Sequence, residues 1–335
     1  MLLDKLNLLK IFGKSHYFNK HDLPDFPDFK SVEFSDKPAF DKLIQNFDTY
    51  SDFNFNSFFS WDTEHRHELS HLNGNLVLKF ADYITGEAFY ALIGINDIDN
   101  TLNTLLNLSE KQGLEPKLKL IPEVTIQAIK NTQAFIIEED PDNFDYVFSI
   151  SELSELVGKR FKNKRQAAKK CTEGKDIKIN NQANNLAVTQ DILKVSKKWE
   201  VSKKQEGKAV DMEYEIVAIE RILQNFSQQE SLHIAFAERN GELVGFSIDE
   251  LLPNKFVLSH YFKTLPHVKG LAEYLNMHIA KELKALGYEY WNWEQDLGIN
   301  SLKRMKLSHR PKFHQKKFIV KRQKSKLSPV YKNKL

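Results

Sequence analysis

The sequence has 335 residues, 41% of them apolar and 28% charged, with a formal net charge of +3. The length suits two domains of roughly 150 residues, and 24 Phe with 11 Tyr supply enough core material to exclude wholesale disorder. A single cysteine, Cys171, excludes an internal disulfide framework, and no apolar run reaches the roughly 18 residues that a membrane-spanning helix needs.

Residues 1–29 open on Leu2, Leu3, Leu6, Leu9 and Phe12 with Asp4, Lys5 and Lys10 between them, which predicts an amphipathic helix and lead-in. It lacks the continuous apolar core of a signal peptide, so a cytoplasmic protein is expected. The helix docks on its own protein in the simplest reading. Peripheral contact with the inner face of a membrane is the alternative.

A first domain is expected over 30–150. It starts with a strand near 32–34 and a helix over 36–47 with Pro38 in its first turn. After the aromatic stretch Phe53, Phe55, Phe58, Phe59 and Trp61 comes HELSH, His67 to His71, a formal match to the zinc-protease pattern H-E-x-x-H. That pattern works on a helix, where the two histidines lie one turn apart. Here it runs into the Asn73-Gly74 turn, which predicts two strands of a hairpin. On a strand His67, Leu69 and His71 share a face with the histidines about 13 Å apart, too far to chelate one zinc. No metal site and no protease are expected. Further strands follow at 88–95, 117–121, 135–137 and 146–150, with helices at 101–112 and 124–131.

A second domain is expected over 151–322, followed by a basic tail over 323–335. Helices over 151–173, 189–204 and 213–226 surround a strand at 177–180. Strands at 232–238, 243–251 and 256–263 come next, the first two joined by the hairpin turn Arg239-Asn240-Gly241. The rest is a helix over 268–286, a strand at 288–293, a short helix at 299–305 and a strand at 313–321. This order is a GNAT-like α/β pattern, and the first half shows a degenerate form of it. The predicted architecture is a tandem pair of GNAT-like domains with mixed, largely antiparallel central sheets, of the α/β (α+β) class.

Charge divides the halves. Residues 1–150 carry −11 and residues 151–335 carry +14. Nine basic residues fall between Lys159 and Lys178, and 13 basic with no acidic residues follow from Lys303 onward. Two such runs flanking one domain point to a polyanion, nucleic acid or anionic lipid. On a helix Arg160, Lys164, Arg165 and Lys169 are spaced to meet successive phosphates. Cys171 at the end of that run has no histidine partner in view and reads as structural.

Chemistry concentrates in two stretches. The strand-to-helix turn at Lys269-Gly270 offers backbone N–H groups to a phosphate or oxyanion, or is simply a tight helix start. Asn292, Glu294, Gln295 and Asp296 end a buried strand beside a helix bearing Lys303, Arg304 and Lys306. A carboxylate there acts as a general base or orients an amine, or Asp296 only caps the helix. His260 and Lys263 lie on the preceding strand, on opposite faces if it is regular.

The stretch Asp145 to Arg165, with Gly158-Lys159-Arg160-Phe161-Lys162 inside it, resembles the start of the second domain in bacterial proteins related to the C-terminal domain of phosphatidylglycerol lysyltransferase. His260 to Leu275 and Asn292 to Leu307 resemble that family's two later blocks, and Phe58-Phe59-Ser60-Trp61 resembles a part of its first domain. The resemblance spans roughly residues 30 to 320. It implies the tandem GNAT-like fold shared with the Fem-type peptidoglycan aminoacyltransferases. It further implies transfer of an aminoacyl group from aminoacyl-tRNA to a hydroxyl or amine acceptor, without a cofactor. Two departures stand out. The lipid-modifying members carry an N-terminal membrane domain that has no counterpart here, and their Asp-Leu-Met-Arg stretch is replaced by His260-Tyr261-Phe262-Lys263. On this reading Lys269 and the Gly270 backbone meet an oxyanion or the 3′-terminal phosphate, and Lys263 or Lys306 neutralises charge near the ester. Glu294 or Asp296, or else His260, takes the acceptor proton or holds the substrate's ammonium, Asn292 contacts substrate, and the basic helix with the tail holds the acceptor stem. The competing functional classes are an acyl-CoA-dependent N-acyltransferase and a non-catalytic nucleic-acid-binding relative.

Overall fold

The computed structural model describes residues 23–82, 85–173, 176–181, 186–206 and 212–323. The expected N-terminal helix and most of the basic tail lie outside the described residues.

In chain order the first elements are β1 (Lys30–Ser31), α1 (Lys37–Ile44), α2 (Phe55–Ser60), β2 (Glu68–Leu72), β3 (Asn75–Ala81), β4 (Ala88–Ile93), α3 (Ile98–Lys111), β5 (Lys117–Pro122), α4 (Glu123–Gln127), β6 (Phe135–Glu139) and β7 (Asp145–Ser149). They are followed by α5 (Ile150–Glu155), α6 (Lys162–Thr172), β8 (Ile177–Asn181), α7 (Leu186–Gln205), α8 (Glu213–Gln224), β9 (Leu232–Arg239), β10 (Glu242–Leu251) and β11 (Phe256–Thr264). The chain ends with α9 (Leu271–Ala285), β12 (Tyr290–Asn292), α10 (Asn300–Ser308), β13 (Phe313–Gln315) and β14 (Lys317–Arg322).

Two seven-stranded mixed sheets result, ordered β1-β2-β3-β4-β5-β14-β6 and β13-β7-β12-β11-β10-β9-β8. The fold is the expected tandem of α/β units. In the first sheet the run Leu76-Val77-Leu78 is wholly buried because both faces are covered. Leu76 and Leu78 pack with Phe40, Phe55 and Phe58 of α1 and α2, while Val77 packs with Leu102, Leu105 and Leu106 of α3. Of HELSH, Glu68 to His71 lie in strand β2, pairing Glu68 with Lys79 and His71 with Leu76, and His67 immediately precedes it. Its histidines serve different partners. His67 Nδ1 lies 3.0 Å from the Phe58 carbonyl and His71 Nδ1 lies 3.1 Å from Asp25.

On the second sheet α7 packs against β10 and β11 with α8 beside it and α2 against α8, while α9 packs against β9, β10 and β11 with α5 and α6 beside it. The helix α9 is the crossover between the parallel pair β11 and β12, which stay in register only from Phe256–Tyr290 to Leu258–Asn292. Beyond that point β12 ends while β11 runs on to Thr264, so the two strands part.

Two expectations about elements need correction. The helix expected over 151–173 is broken, because Leu156 (φ 50°) and Gly158 (φ 92°) take left-handed backbone between α5 and α6. The strand expected over 313–321 is two strands in different sheets: β13 pairs with β7, and β14 pairs with β5 and β6. Sheet membership therefore does not follow boundaries at 150 and 322. β7, from the expected first domain, lies in the second sheet, and β14, from the expected second domain, lies in the first.

A buried polar cluster holds this crossing. Lys317 is fully buried, its ammonium contacting Asp52, Asp145 Oδ1 at 2.6 Å and Ser51 Oγ at 3.1 Å. Burial works against its charge, but the carboxylates of Asp145 and Asp52 outweigh that and hold the ammonium above its ordinary range. Asp145 also accepts from Ser51 N at 2.8 Å and from Asn292 Nδ2 at 3.0 Å. Replacing Lys317 by Ala leaves two buried carboxylates without a cation, so Lys317→Ala is expected to cost on the order of 3–5 kcal/mol in urea unfolding. Lys321→Ala, which breaks the exposed pair with Glu138, is expected to cost about 0.5 kcal/mol or less in the same assay.

Candidate active site

The parting of β11 and β12 is where the chemistry gathers. A register shift in the β10–β11 ladder falls between Ile248, opposite Tyr261, and Asp249, opposite Ser259, so His260 is the extra residue of a β-bulge. A bulge re-aims side chains. Here it lets the consecutive residues His260 and Tyr261 both address α2, with His260 Nδ1 3.2 Å from Ser57 Oγ and Tyr261 Oη 2.9 Å from Ser60 Oγ. The helix α2 is fixed for this by Asn54, whose side chain accepts from Ser57 N at 3.0 Å, and by Arg221 of α8, which donates to Phe59 O at 2.9 Å.

Glu250 of β10 stands behind the imidazole, its Oε2 3.2 Å from His260 Nε2. Its carboxylate also accepts from Asn54 Nδ2 at 2.8 Å and Ser231 Oγ at 3.2 Å, and lies 3.6 Å from the Lys37 ammonium. Burial by itself would raise this carboxyl, but the His260 contact and Lys37 hold it down to about 2. On the other side Glu294 Oε1 accepts from Ser57 Oγ at 3.3 Å and lies 3.8 Å from His260 Nδ1. Burial pushes this carboxyl up to about 7 from its ordinary 4.5, against the opposing pull of His260 and Lys306. Two carboxyls flanking one imidazole are thus driven in opposite directions.

Glu294 is positioned by strain and by anchoring. Its backbone is left-handed, φ 58°, a conformation that costs a non-glycine residue of order 1 kcal/mol and tends to persist at functional sites. Glu294 N donates to Asn292 Oδ1 at 2.8 Å, and the Lys306 ammonium gathers the carbonyls of Trp293, Glu294 (3.1 Å) and Gln295. Burial lowers Lys306 to about 8. Its side chain is therefore committed to shaping the Glu294 loop. It is not free to meet an ester, as the sequence suggested.

The other sequence candidates fall in several places. Asp296 is fully buried, bonded to Tyr146 Oη and to Gly298 N, and it orders the turn before α10. Asn292 is fully buried, with its amide facing Thr49 O, Asp145 and Gln315, so it knits the junction. Lys263 points to the α7–α8 side, 2.7 Å from Glu215 and 4.7 Å from the Trp199 ring centroid. Gly270 starts α9 at φ 81°, and a Cβ there would lie 2.1 Å from Ala167 O, so close contact between α6 and α9 requires glycine. Lys269 beside it is exposed.

In the basic run Arg165 donates to the Leu156 and Gly158 carbonyls, and Lys164 pairs with Glu273 at 3.2 Å. These two serve the fold, whereas Arg160, paired with Glu152, and Lys169 are exposed together with Lys159, Lys162 and Lys170. Sequence reasoning missed Ser57, Glu250, Lys37 and Lys317. Only Glu250 and Lys317 left a local trace, as charges inside strands of otherwise buried pattern.

Because Glu294 has a higher pKa folded than unfolded, folding takes up a proton between about 4.5 and about 7. The stability carried by that proton is complete below the unfolded value and is lost as pH rises through about 7. Glu250 acts oppositely, contributing stability that is lost as pH falls toward about 2. Urea unfolding from roughly pH 5 to 8 should show falling stability in the native protein and a flatter profile in Glu294→Gln.

The family described as phosphatidylglycerol lysyltransferase, C-terminal, matches residues 45–321 of the sequence. No curated protein matches it. A conserved protein of unknown function from Bacteroides thetaiotaomicron superposes with a TM-score of 0.76 at 22% identity, covering 88% of this chain and 99% of the other. L-PGS from Bacillus licheniformis gives 0.58 at 12% identity, covering 92% and 96%. FemX gives 0.56 at 10% identity, covering 87% and 96%. At these identities the structures speak for the fold.

Proposed function

This chain belongs to the phosphatidylglycerol lysyltransferase C-terminal family, and from that premise we propose that it transfers an aminoacyl group from aminoacyl-tRNA to a hydroxyl or amine acceptor. The observation that carries the reading is Glu294, a carboxyl raised to about 7 and held in strained backbone against Ser57 and His260 where β11 and β12 part. An aminoacyl ester is already activated, so the enzyme has mainly to hold the two reactants together and manage one proton. A base with a pKa near the working pH suits that task.

Glu294 takes the proton of the acceptor as its oxygen or nitrogen attacks the ester carbonyl, and the proton is returned to the departing ribose oxygen. Its side chain keeps 17% exposure, against 1% for His260 and for Glu250, so substrate reaches the cluster from the Glu294 side. Lys306 fixes the peptide groups beside it. No cofactor enters this reaction.

The exposed cations Lys159, Arg160, Lys162, Lys169 and Lys170 supply a backbone-reading surface for the acceptor stem, largely independent of sequence. The acceptor is a phospholipid, a cell-wall precursor or a small molecule. An anionic membrane surface is a further partner in the lipid case.

The test is incubation of the full chain with radiolabelled aminoacyl-tRNA and a lipid or cell-wall extract. Label should move to an extractable acceptor, and tRNA binding should weaken steadily with added salt. The rate should rise with pH through about 7 as Glu294 loses its proton. Glu294→Gln should abolish that rise and lower kcat by about 100-fold while tRNA still binds. Thermal stabilisation by acetyl-CoA with no binding of charged tRNA would overturn the reading in favour of an acyl-CoA-dependent enzyme.

A further inference from the structure

We propose that the hydroxyl of Ser57, supplied by the first unit, relays a proton between Glu294 and His260 of the second, so that the reaction centre is assembled from both units. The chemistry rests on the aminoacyl-transfer reading. The identity of the residue rests on geometry.

Glu294 Oε1 and His260 Nδ1 lie 3.8 Å apart, too far for a direct hydrogen bond. Ser57 Oγ bridges them at 3.3 and 3.2 Å. The one hydrogen of the Ser57 hydroxyl points to Glu294 Oε1; once Glu294 is protonated the hydroxyl turns, accepting from Glu294 and donating to Nδ1, which a relay requires. The tautomer follows from the far side of the ring. The Glu250 carboxylate faces Nε2 at 3.2 Å and can only accept, so Nε2 carries a hydrogen, and in the form of the ring that holds a single hydrogen Nδ1 turns its lone pair to Ser57. Glu250 stays ionised with Lys37 behind it, and its charge stabilises the imidazolium when that forms.

The step balances. As the acceptor attacks the ester carbonyl, its proton passes to Glu294. Glu294 hands a proton to Ser57 Oγ while the proton of Ser57 passes to His260 Nδ1. Reversal delivers one proton to the departing ribose oxygen and restores the neutral ring. No bond to Ser57 other than O–H is made or broken. The charged groups facing this path are Glu250 and Lys37 at the imidazole, and Lys306, Asp145 and Asp52 around Glu294.

A purely structural role for Ser57 is separable, because its backbone N–H, not its hydroxyl, is held by the Asn54 cap of α2. Ser57→Ala therefore keeps the cap and removes the relay. In the full chain, labelled with [13C,15N]histidine and assigned through His260→Gln, the His260 ring is titrated by NMR. The wild type, Glu294→Gln, Ser57→Ala and the double variant are compared. Glu294→Gln should shift the His260 titration when Ser57 is present, and that shift should fall by more than half in the Ser57→Ala background. In the transfer assay Ser57→Ala should lower kcat by about 100-fold with KM for aminoacyl-tRNA within twofold, and Ser57→Thr should recover most of the loss.

An undiminished Glu294→Gln shift in the Ser57→Ala background overturns the relay, as does wild-type kcat in Ser57→Ala. If the wild type transfers nothing from charged tRNA, the functional reading fails and the titration alone decides the relay. Should Ser57→Ala not fold, Ser57→Cys, close in size and a weak donor, is put through both measurements with the same criteria.

Discussion

Everything at the candidate site depends on a lysine buried between two sheets. Lys317 sits one residue past the point where the chain leaves β13 in the second sheet and starts β14 in the first. A buried ammonium is tolerable only with its carboxylates in place, and these come from Asp52, ahead of α2, and Asp145, at the start of β7. The same few atoms tie down Ser51, Asn292 and, through Asp52 Oδ1 at 2.7 Å, the Gln295 side chain. Three distant stretches thereby acquire one register. Two of them lead directly into the site: the turn at Ser51 feeds α2 with Ser57, and Asn292 to Gln295 carries Glu294. The clamp is therefore a condition of the chemistry as much as of the fold.

Electrostatics then divides the labour within a few ångströms. Glu250 is buried and Glu294 largely so, both beside His260, yet one is held to about 2 and the other is raised to about 7. The difference lies in what faces them. Glu250 collects Asn54, Ser231, Lys37 and the imidazole, all of which favour the charged form. Glu294 receives one hydroxyl, sits near the carboxylates of Asp145 and Asp52, and finds the nearest ammonium, Lys306, turned to the backbone carbonyls. The permanently charged member orients the ring, and the member near neutrality is left to exchange protons.

Much of the fold was legible because it rests on local patterns. The Asn73-Gly74 and Arg239-Asn240-Gly241 turns, the alternation along the strands and the apolar spacing of α3 and α9 each act within a dozen residues. The HELSH segment was readable as a strand for the same reason. What was not legible rests on partners far apart in sequence. Ser57 and His260 are 203 positions apart, and Lys317 and Asp52 are 265 apart. Charge spacing misled in one direction only: Lys164, Arg165, Lys263 and Lys306 all sit where a periodic reading places them, but each is occupied by an internal partner. A sequence shows that a cation is present and says little about whether it is already engaged. The strand at 313–321 misled for a related reason, since nothing in its pattern marks Lys316 as the point of crossing.

A site built from two units has a consequence for its tolerance of movement. Ser57 rides on α2 of one unit and His260 on the bulge of the other, and their 3.2 Å contact leaves little room before the hydrogen bond is lost. Loss of about 1 Å in registration between the sheets would break that contact while leaving the apolar packing around Phe55 and Phe58 largely intact. The buried clamp at Lys317, the Asn54 side chain that both caps α2 and reaches Glu250, and the Arg221 guanidinium on Phe59 O all bear on this one distance. Their concentration around a six-residue helix, which has almost no stability of its own, is what a candidate site built from elements of both sheets requires.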